Sequence, residues 1–162
     1  MSYRSIDDIA VAHTPPGGWT EWPEPILASC NSPLVDGAPD LRGTWRTIEV
    51  SIGGQLQADH PGLGHVQRIE QAGDRLVVTA AGIIHDMRCD GTAERGVHDV
   101  AEFDKVTEIH VMATYEREVH VLRPQGMPIE IKRWRDGDHL MWQYLGYTAR
   151  LERISEAVAH AR

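Results

Sequence analysis

From Leu41 onward the chain is a succession of short β-rich segments divided by tight-turn signals, and this spacing restricts the fold more than any other feature. The segments are TWRTIEVSI, HVQRIEQ, RLVVTA, GIIHDMR, GVHDVAEF, TEIHVMATY, EVHVLR, PIEIKRW and HLMWQYLGYTARLERI. Pairs such as GG, GD, DG and PQG separate them. Several alternate apolar and polar residues, the period of a half-buried strand, and no helical period interrupts them. An all-β antiparallel sandwich or barrel follows, with up-and-down hairpin connections.

Residues 1–40 have a different character. They contain six of the nine prolines, which excludes a long helix or a central strand. Ser5 could cap a short helix over Ile6–Ala12. The remainder is expected to be an extended arm whose Trp19, Trp22, Ile26 and Leu27 need cover and so pack on the main body, over an edge or a mouth. The expected organisation is an arm over 1–40, a β-barrel over 41–154 and a short helix or tail over 155–162.

Composition narrows the function classes. The net charge of −8 argues against nucleic acid and anionic membrane surfaces, both of which reward clustered Lys and Arg. Two cysteines, Cys30 and Cys89, give neither a disulfide framework nor zinc-ligand spacing. The opening MSYRSIDDIAVAH has no apolar core of a signal peptide, so a cytoplasmic location is expected. No nucleotide, phosphate-loop or nucleophile-elbow motif is present, and no cofactor or resident metal is expected.

Register arguments assign faces. An Asp136-Gly137 turn would place Ile129, Ile131, Trp142 and Tyr144 on one inward face, continuing to Gly146, Thr148 and Arg150. A three-residue turn at 116–118 would set Ile109, Val111, Ala113 and Tyr115 on one face with Val119 and Val121, leaving His110 and His120 facing solvent.

The segment LRGTWR, with Gly43 and Trp45 at the first strand, resembles the Gly-x-Trp signature that opens the first strand of lipocalins and other calycins. In those barrels the tryptophan closes the narrow end and an arginine from the last strand packs across it. Arg150 and Arg153 lie in the matching strand, and the parity above selects Arg150. The resemblance implies a calycin-like barrel of about eight strands holding one small hydrophobic or aromatic molecule. Trp142, Tyr144, Ile109, Val111, Ile129 and Ile131 would line the site. A homodimer is compatible with this reading. Nitric-oxide-binding heme barrels of the nitrobindin group also open with Gly-Thr-Trp, but their late-strand histidine has no counterpart in MWQYLGYTARLERI.

Two His-Asp pairs, His85-Asp86 and His98-Asp99, flank a polar turn. An odd-length connection puts His85 on a face with Asp99, and Asp86 with His98. A carboxylate beside an imidazole is what a general base requires. An even connection puts the two histidines together, the start of a metal site that would need His65 or Glu102 as a further ligand. Gly82 and Gly96 hint at a bulge or a close backbone approach. The alternative function is therefore a cofactor-independent isomerase, cyclase or lyase on the same scaffold, with His85 or His98 as base and Asp99 or Asp86 orienting it.

Overall fold

The computed structural model describes residues 3–155. It is all-β, with no helix among the described residues. The strands are β1 (Gly43–Ile52), β2 (Gln55–Leu56), β3 (Val66–Ala72), β4 (Arg75–Ala80), β5 (Ile83–Arg88), β6 (Val97–Val100), β7 (Glu108–Tyr115), β8 (His120–Pro124), β9 (Ile131–Asp136), β10 (His139–Tyr144) and β11 (Tyr147–Ser155). Ten of them form one antiparallel path, β5-β4-β3-β1-β11-β10-β9-β8-β7-β6, with β2 attached to β1. The two ends of the path approach each other, and the Arg88 N–H donates to the Arg95 carbonyl at 2.8 Å. The result is a nearly closed barrel. No helix among the described residues is long and apolar enough to cross a membrane.

The path has ten strands rather than about eight because each of the nine segments forms a strand and the last, HLMWQYLGYTARLERI, forms two. Leu145 and Gly146 both adopt positive φ (37° and 93°) and make a two-residue turn that pairs Tyr144 with Tyr147. That turn reverses the alternation. Ala149, Leu151 and Arg153 face inward, and Arg150 faces outward, where it meets Asp136 at 3.0 Å and Glu49 at 3.5 Å. The expected closing role of Arg150 is therefore corrected. Arg153 lies 4.7 Å from the Trp45 ring and Arg135 5.5 Å from it. Trp45 is fully buried and donates its indole N–H to the Leu41 carbonyl at 2.9 Å.

A second turn overturns another expectation. Tyr115 pairs with His120, so the loop has two central residues beyond the Glu116–Val119 pair, not three. Arg117 and Glu118 both take positive φ (51° and 67°), the requirement of a type I′ turn. The Glu118 N–H is held by the Gly37 carbonyl of the arm. The one-residue difference flips β8. His120 is buried inside, and Val119 and Val121 lie on the other face from Ala113 and Tyr115. The β9–β10 turn is Gly137-Asp138 instead of Asp136-Gly137, but both loops have two residues, so Ile131 and Trp142 keep their common face. Gly96 approaches β7 so closely that a Cβ would sit 2.0 Å from the Val111 carbonyl oxygen, which explains this glycine directly.

The arm covers the outer faces of β3, β4 and β5. Ile6, Ala12, Trp19, Ile26, Leu27 and Cys30 pack on Ala72, Val77 and Ile84. No helix forms over Ile6–Ala12, because Arg75 takes the carbonyls a helix would use. Its guanidinium donates to Ile6 O (2.7 Å), Ile9 O (2.8 Å) and Ala10 O (3.1 Å). Glu70 accepts the backbone N–H groups of Ile26 and Leu27 at 3.1 and 2.7 Å. Such capture of backbone groups by buried side chains orders a segment that has no secondary structure of its own. Ser155 ends β11, and the expected helix or tail beyond it lies outside the described residues.

Candidate functional site

Inward-facing residues of β4 to β10 enclose a cavity of about 160 Å³. Ile109, Val111, Ile129, Ile131, Trp142 and Tyr144, each expected inside, all stand on its wall. Register explains how. Leu122 pairs with Ile131, and Val97 with Val111, so alternate residues of adjacent strands converge. Phe103, Met127 and Leu145 belong to the same wall yet are exposed, and they form an apolar rim.

The floor is polar. His120, Arg133, Trp142 and Ala149 are successive partners across β8, β9, β10 and β11. Arg133 is 5% exposed, lines the cavity and lies 5.2 Å from the Trp142 ring. Its Nε donates to Gln67 Oε1 at 2.9 Å, across from β3. Its Nη1, the Gln67 amide nitrogen, the Trp142 indole nitrogen and both ring nitrogens of His120 are buried without a hydrogen-bond partner. Burial pushes the Arg133 guanidinium down to about 10. Burial, aided by Arg133, holds His120 well below the usual imidazole value, so it is neutral.

The two His-Asp pairs separate. Inward parity falls on His85 and Asp99, the odd case, and outward parity on Asp86 and His98. No dyad results. His85 stands on the cavity wall and donates its Nε2 proton to the Val100 carbonyl at 2.8 Å. This bond fixes the tautomer and leaves Nδ1 as the acceptor. Burial lowers the His85 pKa, although the Val100 bond opposes that shift. The Asp99 carboxylate is taken by the arm, accepting from Thr14 N at 3.0 Å and lying 3.1 Å from His13 Nδ1. Burial alone would raise its pKa, but hydrogen bonds led by Thr14 outweigh it and the net shift is downward. Asp86 is paired with Arg75 beneath the arm, at 2.6 and 2.9 Å.

His98 is corrected as a lumenal base. It lies on the outer face, with Nε2 donating to Ala93 O and Glu94 O and Nδ1 2.6 Å from His110 Nδ1. With His85 and His98 on opposite faces, the paired-histidine metal arrangement does not form. The carboxylate–imidazole contact at the cavity is a different one. His65 Nε2 lies 3.1 Å from Glu102 Oε1, Glu102 is on the cavity wall, and the His65 ring stacks on Trp142 at 5.2 Å. Trp142 in turn stacks on Tyr144 at 4.7 Å. Burial raises the Tyr144 phenol and pushes Tyr147 up to about 12, so both are neutral.

Arg133, His120, Gln67 and the His65–Glu102 contact were not singled out as a site from the sequence. A signal for Arg133 was present, since the Ile129–Ile131 alternation continues to it. None existed for His120 without the correct turn. No protein-family model matches the chain, and no curated protein matches it.

Proposed function

We propose that this chain is a calycin-like barrel that binds one small apolar or aromatic molecule in its cavity. The observation that carries the reading is the cavity wall, in which apolar and aromatic side chains from seven strands surround a few convergent polar groups. Small-molecule sites have this composition. The buried Trp45 with Arg153 across its ring supports the calycin likeness. Native mass spectrometry of the protein as purified, followed by addition of fluorobenzene to the emptied protein, tests it. A retained molecule or saturable uptake of fluorobenzene is expected. Protein that is empty and takes up no probe overturns the reading.

Acid–base chemistry in the same cavity, as a cofactor-independent isomerase, cyclase or lyase, is a second reading favoured by one observation. His85 combines a fixed tautomer with a lowered pKa on the cavity wall, the condition of an imidazole able to accept a proton near neutral pH. Asp99 and Asp86, engaged by the arm and Arg75, do not orient it. A His85→Gln variant that co-purifies with a molecule chemically different from that of the wild type supports catalysis. The same molecule in both supports binding alone.

A further inference from the structure

We propose that the cavity's ligand is a monocarboxylate of single-ring size, with its carboxylate held by Arg133 at the floor; this rests on the binding reading above. Three arginines are almost fully buried: Arg68, Arg75 and Arg133. Arg75 is paired with Asp86 at 2.6 Å, and Arg68 lies 3.9 Å from Glu70. Arg133 has no carboxylate within ion-pair distance among the described residues. Its one protein hydrogen bond goes to the neutral Gln67. A buried guanidinium whose opposing charge, Glu102, lies beyond ion-pair distance is costly to the fold. The arrangement is balanced when an anion enters from the cavity that Arg133 lines.

The chemistry of the surroundings sets the class of anion. A planar guanidinium matches the two oxygens of a carboxylate or a phosphate. His120, paired with Arg133 across β8 and β9 and kept neutral by burial, adds no second positive charge. Glu102, on the same wall and held by His65, adds a negative one. One guanidinium with a free Nη1, and a carboxylate elsewhere on the wall, tolerates at most a single negative charge and disfavours a phosphate dianion. Size sets the body of the ligand. A cavity of about 150 Å³ accommodates benzene, and this one is about 160 Å³ with Trp142 and Tyr144 on its wall.

Fluorine NMR of 4-fluorobenzoate, 4-fluorobenzamide and fluorobenzene with the full chain tests the inference. The wild type is expected to bind fluorobenzoate at least about tenfold more tightly than the isosteric amide, the difference a charge-assisted pair makes. Arg133→Met should abolish that preference and retain fluorobenzene. Equal binding of benzoate and benzamide, with fluorobenzene bound, overturns the carboxylate inference and leaves the cavity reading standing. No binding of any of the three overturns the cavity reading itself. Should Arg133→Met not fold, Arg133→Lys reads the same contrast: a selective loss of fluorobenzoate supports the inference, and an equal loss of all probes overturns it.

Discussion

Arg75 and Arg133 are both buried, one beneath the arm and one inside the barrel, and their surroundings are opposite. Arg75 donates five hydrogen bonds, two to Asp86 and three to carbonyls of the arm. Arg133 donates one, to an amide oxygen, and its Nη1 has no partner. Arg75 is thus fully engaged within the chain, and it works as structure: buried charge holds down a segment without helix or strand. The space inside the barrel is incomplete, with an aromatic wall and a floor of polar atoms that lack partners. Buried polar groups in folded proteins are nearly all satisfied, so the contrast separates a structural ion pair from the proposed ligand site.

Removing the counter-charge beneath the arm should have the largest effect. Asp86→Ala leaves Arg75 buried and unpaired and is expected to cost about 3–5 kcal/mol, read by urea denaturation. The arm should become sensitive to proteolysis at the same time. A loss below about 1 kcal/mol would show the two regions to be less different than described. Arg133→Met should change stability in the other direction. Replacing a buried charge that has no ion-pair partner by an apolar side chain, at the loss of one hydrogen bond to Gln67, is expected to stabilise the ligand-free protein, visible as a rise in Tm. Substantial destabilisation would mean that Arg133 is a structural element like Arg75.

Both regions were partly legible in the sequence, and they differ in what stayed hidden. An arm rich in proline and carrying Trp19, Trp22, Ile26 and Leu27 had to pack on something, and it does. The six cavity residues were legible because alternation along β7, β9 and β10 is clean. The polar floor was not. It depends on the Arg117-Glu118 turn, where two long side chains take positive φ without the Gly, Asn or Asp that normally marks such a turn. A one-residue slip there moves His120 from inside to outside. The Leu145-Gly146 turn hid the split of β10 from β11 and exchanged Arg150 for Arg153. The fate of the His-Asp pairs was decided by arm residues Ala12–Thr14 and by Arg75, partners remote in sequence that no local pattern reveals.

The smallest expected effect concerns pH. His85 and His120 have folded pKa values below the ordinary imidazole value of about 6.5. The unfolded chain therefore binds more protons between the folded and unfolded values. The stability these groups contribute is fully present above about pH 6.5 and is lost as pH falls through that value toward their folded ones, by up to about 1.4 kcal/mol per pH unit for each group. Urea denaturation of the wild type and of His120→Asn between pH 7.5 and 5 should show a shallower decline in the variant. Parallel curves would place the linkage elsewhere.

The most direct test compares the two regions in one experiment, with methyl NMR of isoleucine-labelled protein titrated with fluorobenzene. The methyl signals of Ile109, Ile129 and Ile131, on the cavity wall, should shift along a saturating curve, while those of Ile6 and Ile26 in the arm and Ile84 beneath it remain in place. Shifts confined to the residues in and beneath the arm, or no saturating shift at the cavity wall, would contradict the assignment of the barrel interior as the ligand site.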